Sequence, residues 1–169
     1  MHSRIFEIKA KPIKDDEWAS EIAIADDDYR IDGVDYFQKV KDADERVEDI
    51  ENFFLKWFPN NSFKIIKNEP GKTAVVKFVG DINALYEDWR NQIQDAARNI
   101  SEKMSSMELW ALRNALNEPF DLSTKFYQEE WNGCTVSADD FLGYLRYLDE
   151  KSGGKHFKLY VGQVFDYHF

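Results

Sequence analysis

Cysteine, proline and glycine are scarce in this chain of 169 residues, which has one cysteine, four prolines and eight glycines. The single cysteine, Cys134, excludes an intrachain disulfide and any zinc site built on several thiolates. Hydrophobic residues make up 43% and charged residues 32%, so the composition is neither that of a disordered chain nor that of a membrane protein. With 13 Phe, 8 Tyr and 5 Trp for one core, residues 1–169 are predicted to form a single domain.

Long apolar runs are missing from the sequence. A membrane helix needs about 20 apolar residues and a secretory signal needs a run of roughly 7–15, and the chain has neither. The free Cys134 suits a reducing compartment. These features predict a cytoplasmic protein with no membrane association.

Positive charge is in deficit. Lys and Arg number 22 against 32 Asp and Glu, which gives a formal net charge of −10. Because attraction to phosphates needs a basic surface, direct binding of nucleic acid is not expected.

Familiar catalytic and cofactor motifs are also missing. The sequence has no P-loop, dinucleotide fingerprint, G-x-S-x-G, H-E-x-x-H or EF-hand pattern. His156 and His168 would lie roughly 40 Å apart on one extended strand, so they are not expected to share a metal ion. The sequence therefore predicts no cofactor and no metal site, and it favours a protein without enzymatic activity while leaving that question open.

Apolar residues recur at three- and four-residue spacing in four segments, which predicts four helices. The first covers 43–57, the second follows the cap Asp81, the third begins near Ser105 with Glu108 at capping-box spacing, and the fourth follows Ser137. In the first helix the predicted inward face is Val47, Ile50, Phe54, Trp57 and Phe58, in the third it is Leu109, Leu112 and Leu116, and in the fourth it is Phe141, Leu142, Leu145 and Leu148.

Strands are predicted at 5–10, at 125–131 and in a hairpin formed by 63–67 and 73–79. The weaker patterns at 21–25 and 35–40 suggest a short strand and a helical turn. The C-terminal residues 157–169 are interpreted as one continuous strand bent at Gly162, because a tight turn there would mix apolar and polar side chains on one face. Its apolar parity is carried by Phe157, Leu159, Val161, Phe165, Tyr167 and Phe169.

Strands and helices do not alternate regularly along the chain, which argues against a doubly wound parallel sheet. The sequence predicts an α+β fold with an antiparallel or mixed sheet of about five strands and helices packed on one face.

The negative charge is concentrated in one segment. Between Asp15 and Glu51 there are fifteen acidic and four basic residues, a formal charge of −11, and the rest of the chain carries +1. The segment is interpreted as partly irregular. Like charges this close repel one another, so the concentration suggests a surface for a positively charged partner, although a solvated acidic helix face also accounts for it.

We therefore interpret the chain as a non-enzymatic binding protein whose acidic face engages a basic protein surface. A nucleic-acid mimic that inhibits a nuclease or another nucleic-acid-binding protein is the narrower form of this hypothesis. The side chains expected to pair with Lys and Arg of the partner are Asp16, Asp26, Asp27, Asp28, Glu45, Glu48 and Asp49.

Two alternatives stay open at this stage. One is a small-molecule-binding or enzymatic domain with an aromatic-lined pocket containing Tyr127, Tyr160 and Tyr167. The other is a structural or assembly protein in which the exposed edge of the long C-terminal strand pairs between copies. The oligomeric state is not predicted.

Overall fold

A mixed β-sheet of seven strands forms the centre of the computed structural model, which describes residues 2–28, 36–131 and 135–168. Side chains are described for 3–24, 37–130 and 135–167. The strands run in the order β3-β4-β7-β1-β5-β6, and β2 pairs with β7 beside β4. Their bounds are β1 His2–Lys9, β2 Tyr36–Lys39, β3 Phe63–Lys67, β4 Ala74–Phe78, β5 Lys125–Tyr127, β6 Thr135–Val136 and β7 Lys158–His168.

Helices fill most of the connections between these strands. A π-helical turn, Asn52–Trp57, continues α2 without a break, and three short 3₁₀ turns lie at Pro59–Asn61, Pro119–Asp121 and Glu129–Trp131. The α-helices are α1 Glu21–Asp28, α2 Ala43–Glu51, α3 Ile82–Arg98, α4 Ser106–Asn117 and α5 Ala138–Ser152.

The predicted α+β class and mixed sheet are confirmed. The sheet has seven strands instead of about five, and the acidic segment supplies two elements that were assigned wrongly from sequence. Residues 21–25 belong to helix α1, and residues 36–39 form strand β2. Both sequence patterns are too short to predict an element well. Residues 36–39 are extended because they pair with β7, and this pairing outweighs their local propensity.

Strand β7 is the central strand. One of its edges pairs antiparallel with β1, and the other pairs with β4 up to Val161 and with β2 from Phe165. The continuous C-terminal strand is therefore confirmed. Its edges are occupied within the chain, so the hypothesis that this strand pairs between copies through an exposed edge is wrong.

A β-bulge interrupts β7 at Gly162 and Gln163. Phe6 of β1 pairs with Val164 and Ile8 pairs with Val161, so two intervening residues of β7 face one of β1. The bulge moves the side chains that follow it to the opposite face. The expected single apolar parity is therefore wrong, since Leu159, Val161 and Val164 enter one core cluster while Phe165 and Tyr167 enter another.

The larger core cluster lies between the sheet and the helices α2, α3 and α5 together with the π turn. Phe53, Phe54, Phe126 and Phe141 are fully buried there, and the ring centroids of the last two are 3.9 Å apart. The smaller cluster lies on the opposite face of the sheet, where Ile24 of α1 packs with residues of β1, β5 and β7. The structure thus adds α1 to the second face.

Two predicted inward faces need correction. Trp57 is 50% exposed because the π turn, with its Phe58 N–H donating to Phe53 O, adds a residue per turn and rotates Trp57 away from the Ile50 face. In α4, Leu109 and Leu116 are exposed while Ala115 is buried. Of the helices in the described ranges, none has both the length and the apolar character needed to cross a bilayer.

Candidate functional site

The exposed side of α2 carries a row of carboxylates that we call the α2 stripe, Asp44, Glu48 and Glu51. Their spacing of four and three residues places them on one side of the helix, opposite the buried Arg46 and Ile50. Asp42 begins the helix by accepting from the N–H groups of residues 44 and 45. Within the described ranges, none of the three stripe carboxylates has a basic group at ion-pair distance.

The acidic residues before α1 are partly engaged within the chain. Asp15 accepts from the Thr73 N–H at 2.8 Å and from Lys72 Nζ at 3.1 Å, and these bonds lower its pKa to about 2. Glu17 pairs with Lys14 at 2.5 Å. Asp16 is exposed between them. This segment and α2 approach the same hairpin turn, since Arg46 donates to the Lys72 carbonyl.

Three of the predicted partner-binding residues, Asp26, Asp27 and Asp28, fall at the end of α1. Their side chains lie outside the described residues. Their role as contact residues stays a prediction.

The structure brings Glu45 and Asp49 together around an arginine that the sequence analysis did not single out. Arg4 of β1 donates from Nε to Asp49 at 2.7 Å, and from its terminal nitrogens to Glu45 at 2.9 Å and Asp166 at 2.5 Å. Arg4 and Asp166 are cross-strand partners, and Glu45 and Asp49 are one helical turn apart. Asp49 is only 8% exposed, so its predicted role must be exercised from inside a cleft and not from an open surface.

That cleft, which we call the Trp57 cleft, has a volume of about 520 Å³. It opens between β1, the end of the π turn and the segment that precedes β5. Phe120 and Asp121 have left-handed φ angles of 60° and 56°, which give this segment its sharp turn. The cleft is lined by Ser3, Arg4, Asp49, Trp57, Phe120, Asp121, Leu122, Ser123 and Thr124.

Two hydroxyl groups fix one side of the cleft. Ser3 Oγ donates to the Ser123 carbonyl at 2.7 Å, and Tyr167 Oη donates to the same carbonyl at 2.9 Å. Burial raises the pKa of Asp49, with Arg4 acting in the opposite direction. The cleft thus combines a buried carboxylate at Asp49, an exposed carboxylate at Asp121 and the half-exposed indole ring of Trp57.

A second polar centre lies at the β7 bulge. Arg46 is 2% exposed and donates to the carbonyls of Val161 and Gly162, and its guanidinium lies 4.3 Å from the centre of the Trp18 ring. Glu7 is 1% exposed and accepts from two backbone N–H groups. These groups satisfy backbone atoms that the bulge leaves without a neighbouring strand, so we assign them a structural role.

The aromatic rings of the alternative pocket hypothesis do not line this cleft, and only the Tyr167 hydroxyl reaches its wall, at the Ser123 carbonyl. Tyr127 and Tyr167 are buried in the smaller core cluster. Within the described residues, no group of three His, Cys, Asp or Glu side chains is arranged to hold a metal ion.

One sequence signal pointed to the cleft. Arg4 shares its parity with Phe6 and Ile8, so a strand that begins before the predicted start at Ile5 places this charged side chain on the core face, where it needs polar partners. Trp57 and Asp121 gave no such signal, because a π turn and a left-handed turn bring them to the cleft.

In comparisons with known proteins, no family model, no curated protein sequence and no solved structure matched this chain.

Proposed function

We propose that this chain is a binding protein whose acidic surface, built on the α2 stripe with Asp16, Glu45 and the Trp57 cleft beside it, engages a basic surface of another protein. Asp26, Asp27 and Asp28 belong to the same proposal by their position in the acidic segment. The activity requires no cofactor and no reaction of the protein itself.

One observation carries the proposal. Three exposed carboxylates on one side of α2 lie close together without basic partners in the described ranges, although the chain has enough Lys and Arg to supply them. Such an arrangement costs repulsion in the isolated protein and is relieved when a basic surface approaches. A helix face that only keeps the protein hydrated does not need charges of one sign, because alternating acidic and basic side chains hydrate it equally well.

The density of charge favours a basic protein surface over strict mimicry of duplex DNA. The α2 stripe places three charges over roughly 10 Å at 1.5 Å per residue. Duplex DNA presents about six over the same length of axis. Inhibition of a nucleic-acid-binding protein by mimicry is the narrower form of this proposal. It would need further carboxylates besides the α2 stripe, and Asp26, Asp27 and Asp28 are the candidates.

The first prediction tests the stripe directly. The variant Asp44→Asn/Glu48→Gln/Glu51→Gln should associate with a lysine- and arginine-rich peptide about tenfold more slowly at low ionic strength, because steering depends on clustered charge. Association rates measured by stopped-flow fluorescence between about 0.02 and 0.3 M NaCl should converge for the variant and the unchanged protein as salt screens the field.

A matched control separates clustering from net charge. The variant Glu87→Gln/Glu102→Gln/Glu150→Gln also removes three exposed carboxylates, but from separate places, namely α3, the turn between α3 and α4, and α5. It should slow association far less. If both triple variants behave alike, or if the rate is indifferent to salt, the stripe does not steer the partner and the proposed function is rejected.

A further inference from the structure

We infer that the Trp57 cleft is the anchor of this surface and that it receives an arginine side chain of the basic partner. The inference rests on the proposed function and deepens it, since it names the residue type that is recognised. It assigns the preference for arginine to Trp57 and Asp121, and neither residue is among the seven partner-binding residues expected from sequence.

The charge of the cleft selects a cation. Arg4 is the basic side chain of the lining, and its Nε and both terminal nitrogens already donate to Asp49, Glu45 and Asp166. An incoming anion would have to displace one of these carboxylates. Asp121, in contrast, is exposed at the rim and has no basic partner within the described part of the chain. An incoming cation therefore gains a carboxylate without breaking an existing pair.

Asp49 supports the same conclusion from inside the cleft. Its side chain is 11% exposed, and its Oδ2 receives the Arg4 Nε–H. Burial raises the pKa of this carboxyl group even with Arg4 in contact. The single positive charge of Arg4 is also shared with Glu45 and Asp166, so the group carries more negative than positive charge. A second cation in the cleft would supply the missing positive charge.

The indole ring of Trp57 explains why the cation should be a guanidinium. Trp57 is 50% exposed at the cleft wall, and large aromatic side chains in such positions are common anchors of protein interfaces. A planar guanidinium stacks on an aromatic face and binds a carboxylate with two parallel hydrogen bonds, whereas an ammonium group does neither as well.

The chain itself places a guanidinium against an aromatic ring twice. The Arg46 guanidinium lies 4.3 Å from the Trp18 ring centre, and the Arg146 guanidinium lies 3.3 Å from that of Tyr86. Arg4 shows that guanidinium–carboxylate pairing is already the chemistry of the cleft. The volume of about 520 Å³ admits an arginine side chain together with its flanking backbone.

The second prediction uses two peptides of equal length and charge, identical except that one carries arginine and the other lysine. Calorimetric titration of the full chain should show about three- to fivefold tighter binding of the arginine peptide, as expected for one added stacking contact. Trp57→Leu should remove this preference while leaving salt-dependent binding of both peptides. Asp121→Asn should reduce it, and Asn accepts the left-handed φ of this position, so the turn is retained.

Controls and outcomes keep the inference separate from the proposed function. Trp110→Leu removes another exposed tryptophan, on α4, and should leave the arginine preference unchanged. Equal affinities for the two peptides, unaffected by Trp57→Leu and Asp121→Asn but lowered in the α2 stripe variant, would overturn the anchor and leave the proposed function standing. An arginine preference lost in the cleft variants, together with affinities for both peptides that the stripe variant leaves unchanged, would support the anchor and reject the stripe. Failure of both peptides to bind the unchanged protein overturns both.

Discussion

At the scale of single residues, two buried charged side chains stabilise the irregular part of the sheet. Arg46 reaches the bulge of β7 from α2, and the cost of removing its guanidinium from water is offset by three backbone carbonyls. Burial lowers its pKa to about 10, so it stays positively charged at neutral pH. Glu7 satisfies the N–H groups of Ala19 and Gln163 on the other side of the bulge. Both side chains hold an irregular part of the sheet together.

The third prediction concerns pH. Burial raises the pKa of Glu7 above its ordinary value of 4.5, so the folded chain holds this proton more tightly than the unfolded chain. The stability from this group is full below pH 4.5 and is lost as pH rises through the folded-state pKa. Glu7→Gln keeps an oxygen for both N–H groups and removes the titration, so its free energy of unfolding should fall less between pH 4.5 and neutral pH.

Urea unfolding across that pH range measures the two slopes. Glu102→Gln removes an exposed carboxylate and serves as the control, with a slope like that of the unchanged protein. Identical slopes for Glu7→Gln and the unchanged protein would show that Glu7 does not titrate as its burial requires.

Single residues also mark the limit of reasoning from sequence about the site. The shared parity of Arg4, Phe6 and Ile8 could be read from sequence, although the predicted strand begins only at Ile5. The carboxylates that pair with Arg4 could not be read, because Glu45 and Asp49 come from a helix whose orientation depends on packing. Asp49 was predicted as a surface contact and lies inside the cleft.

At the scale of elements, periodicity predicted regular segments well and interruptions poorly. The capping box of Ser105 and Glu108 and the Asp81 cap are confirmed at the starts of α4 and α3. The four inward residues predicted for α5, Phe141, Leu142, Leu145 and Leu148, are all buried. The π turn after α2 and the bulge in β7 each add one residue to a regular repeat. The side chains that follow each interruption therefore point to a different face of the helix or sheet than the repeat predicts.

The fourth prediction compares alanine substitutions at two glycines, Gly162 in the β7 bulge and Gly143 in α5. A Cβ at Gly162 would lie 2.2 Å from Glu7 Oε2 and 3.3 Å from Trp18 Cδ1, so Gly162→Ala forces a buried carboxylate to move. We expect it to lower the free energy of unfolding by about 1–3 kcal/mol. Gly143→Ala, inside α5 with nothing within 4 Å of the added carbon, should raise it by about 0.5–1 kcal/mol.

Urea unfolding of the two variants and the unchanged protein measures both effects in one experiment. A Gly162→Ala variant as stable as the unchanged protein would mean that Glu7 does not occupy the bulge.

On the scale of the whole molecule, β7 joins the parts of the fold that are most distant in sequence. It pairs with β1, β2 and β4, and its residues enter both core clusters. Helix α4 has the opposite situation, since Met107 is 77% and Trp110 is 62% exposed and only Ala115 is buried among its residues. Stability should therefore differ strongly between these two elements.

The fifth prediction follows from that difference. In native-state hydrogen exchange, amides of β7 between residues 161 and 165 should exchange only through global unfolding, whereas those of α4 should exchange by local opening at much lower free energy. Mass spectrometry of peptic fragments distinguishes the two. Protection of α4 equal to that of β7 would show that its few buried contacts stabilise it more than its exposure indicates.

The sequence by itself determined the α+β class, most helices and strands, the hairpin, the continuity of the C-terminal strand and the concentration of acidic residues between Asp15 and Glu51. These depend on local periodicity, capping and composition, which act over a few residues. Tertiary structure alone decided the sheet order, the side of the sheet that α1 covers, the bulge at Gly162 and the cleft between Trp57, Asp121 and Asp49. Each depends on packing between segments far apart in the chain, where the burial of side chains outweighs local preference.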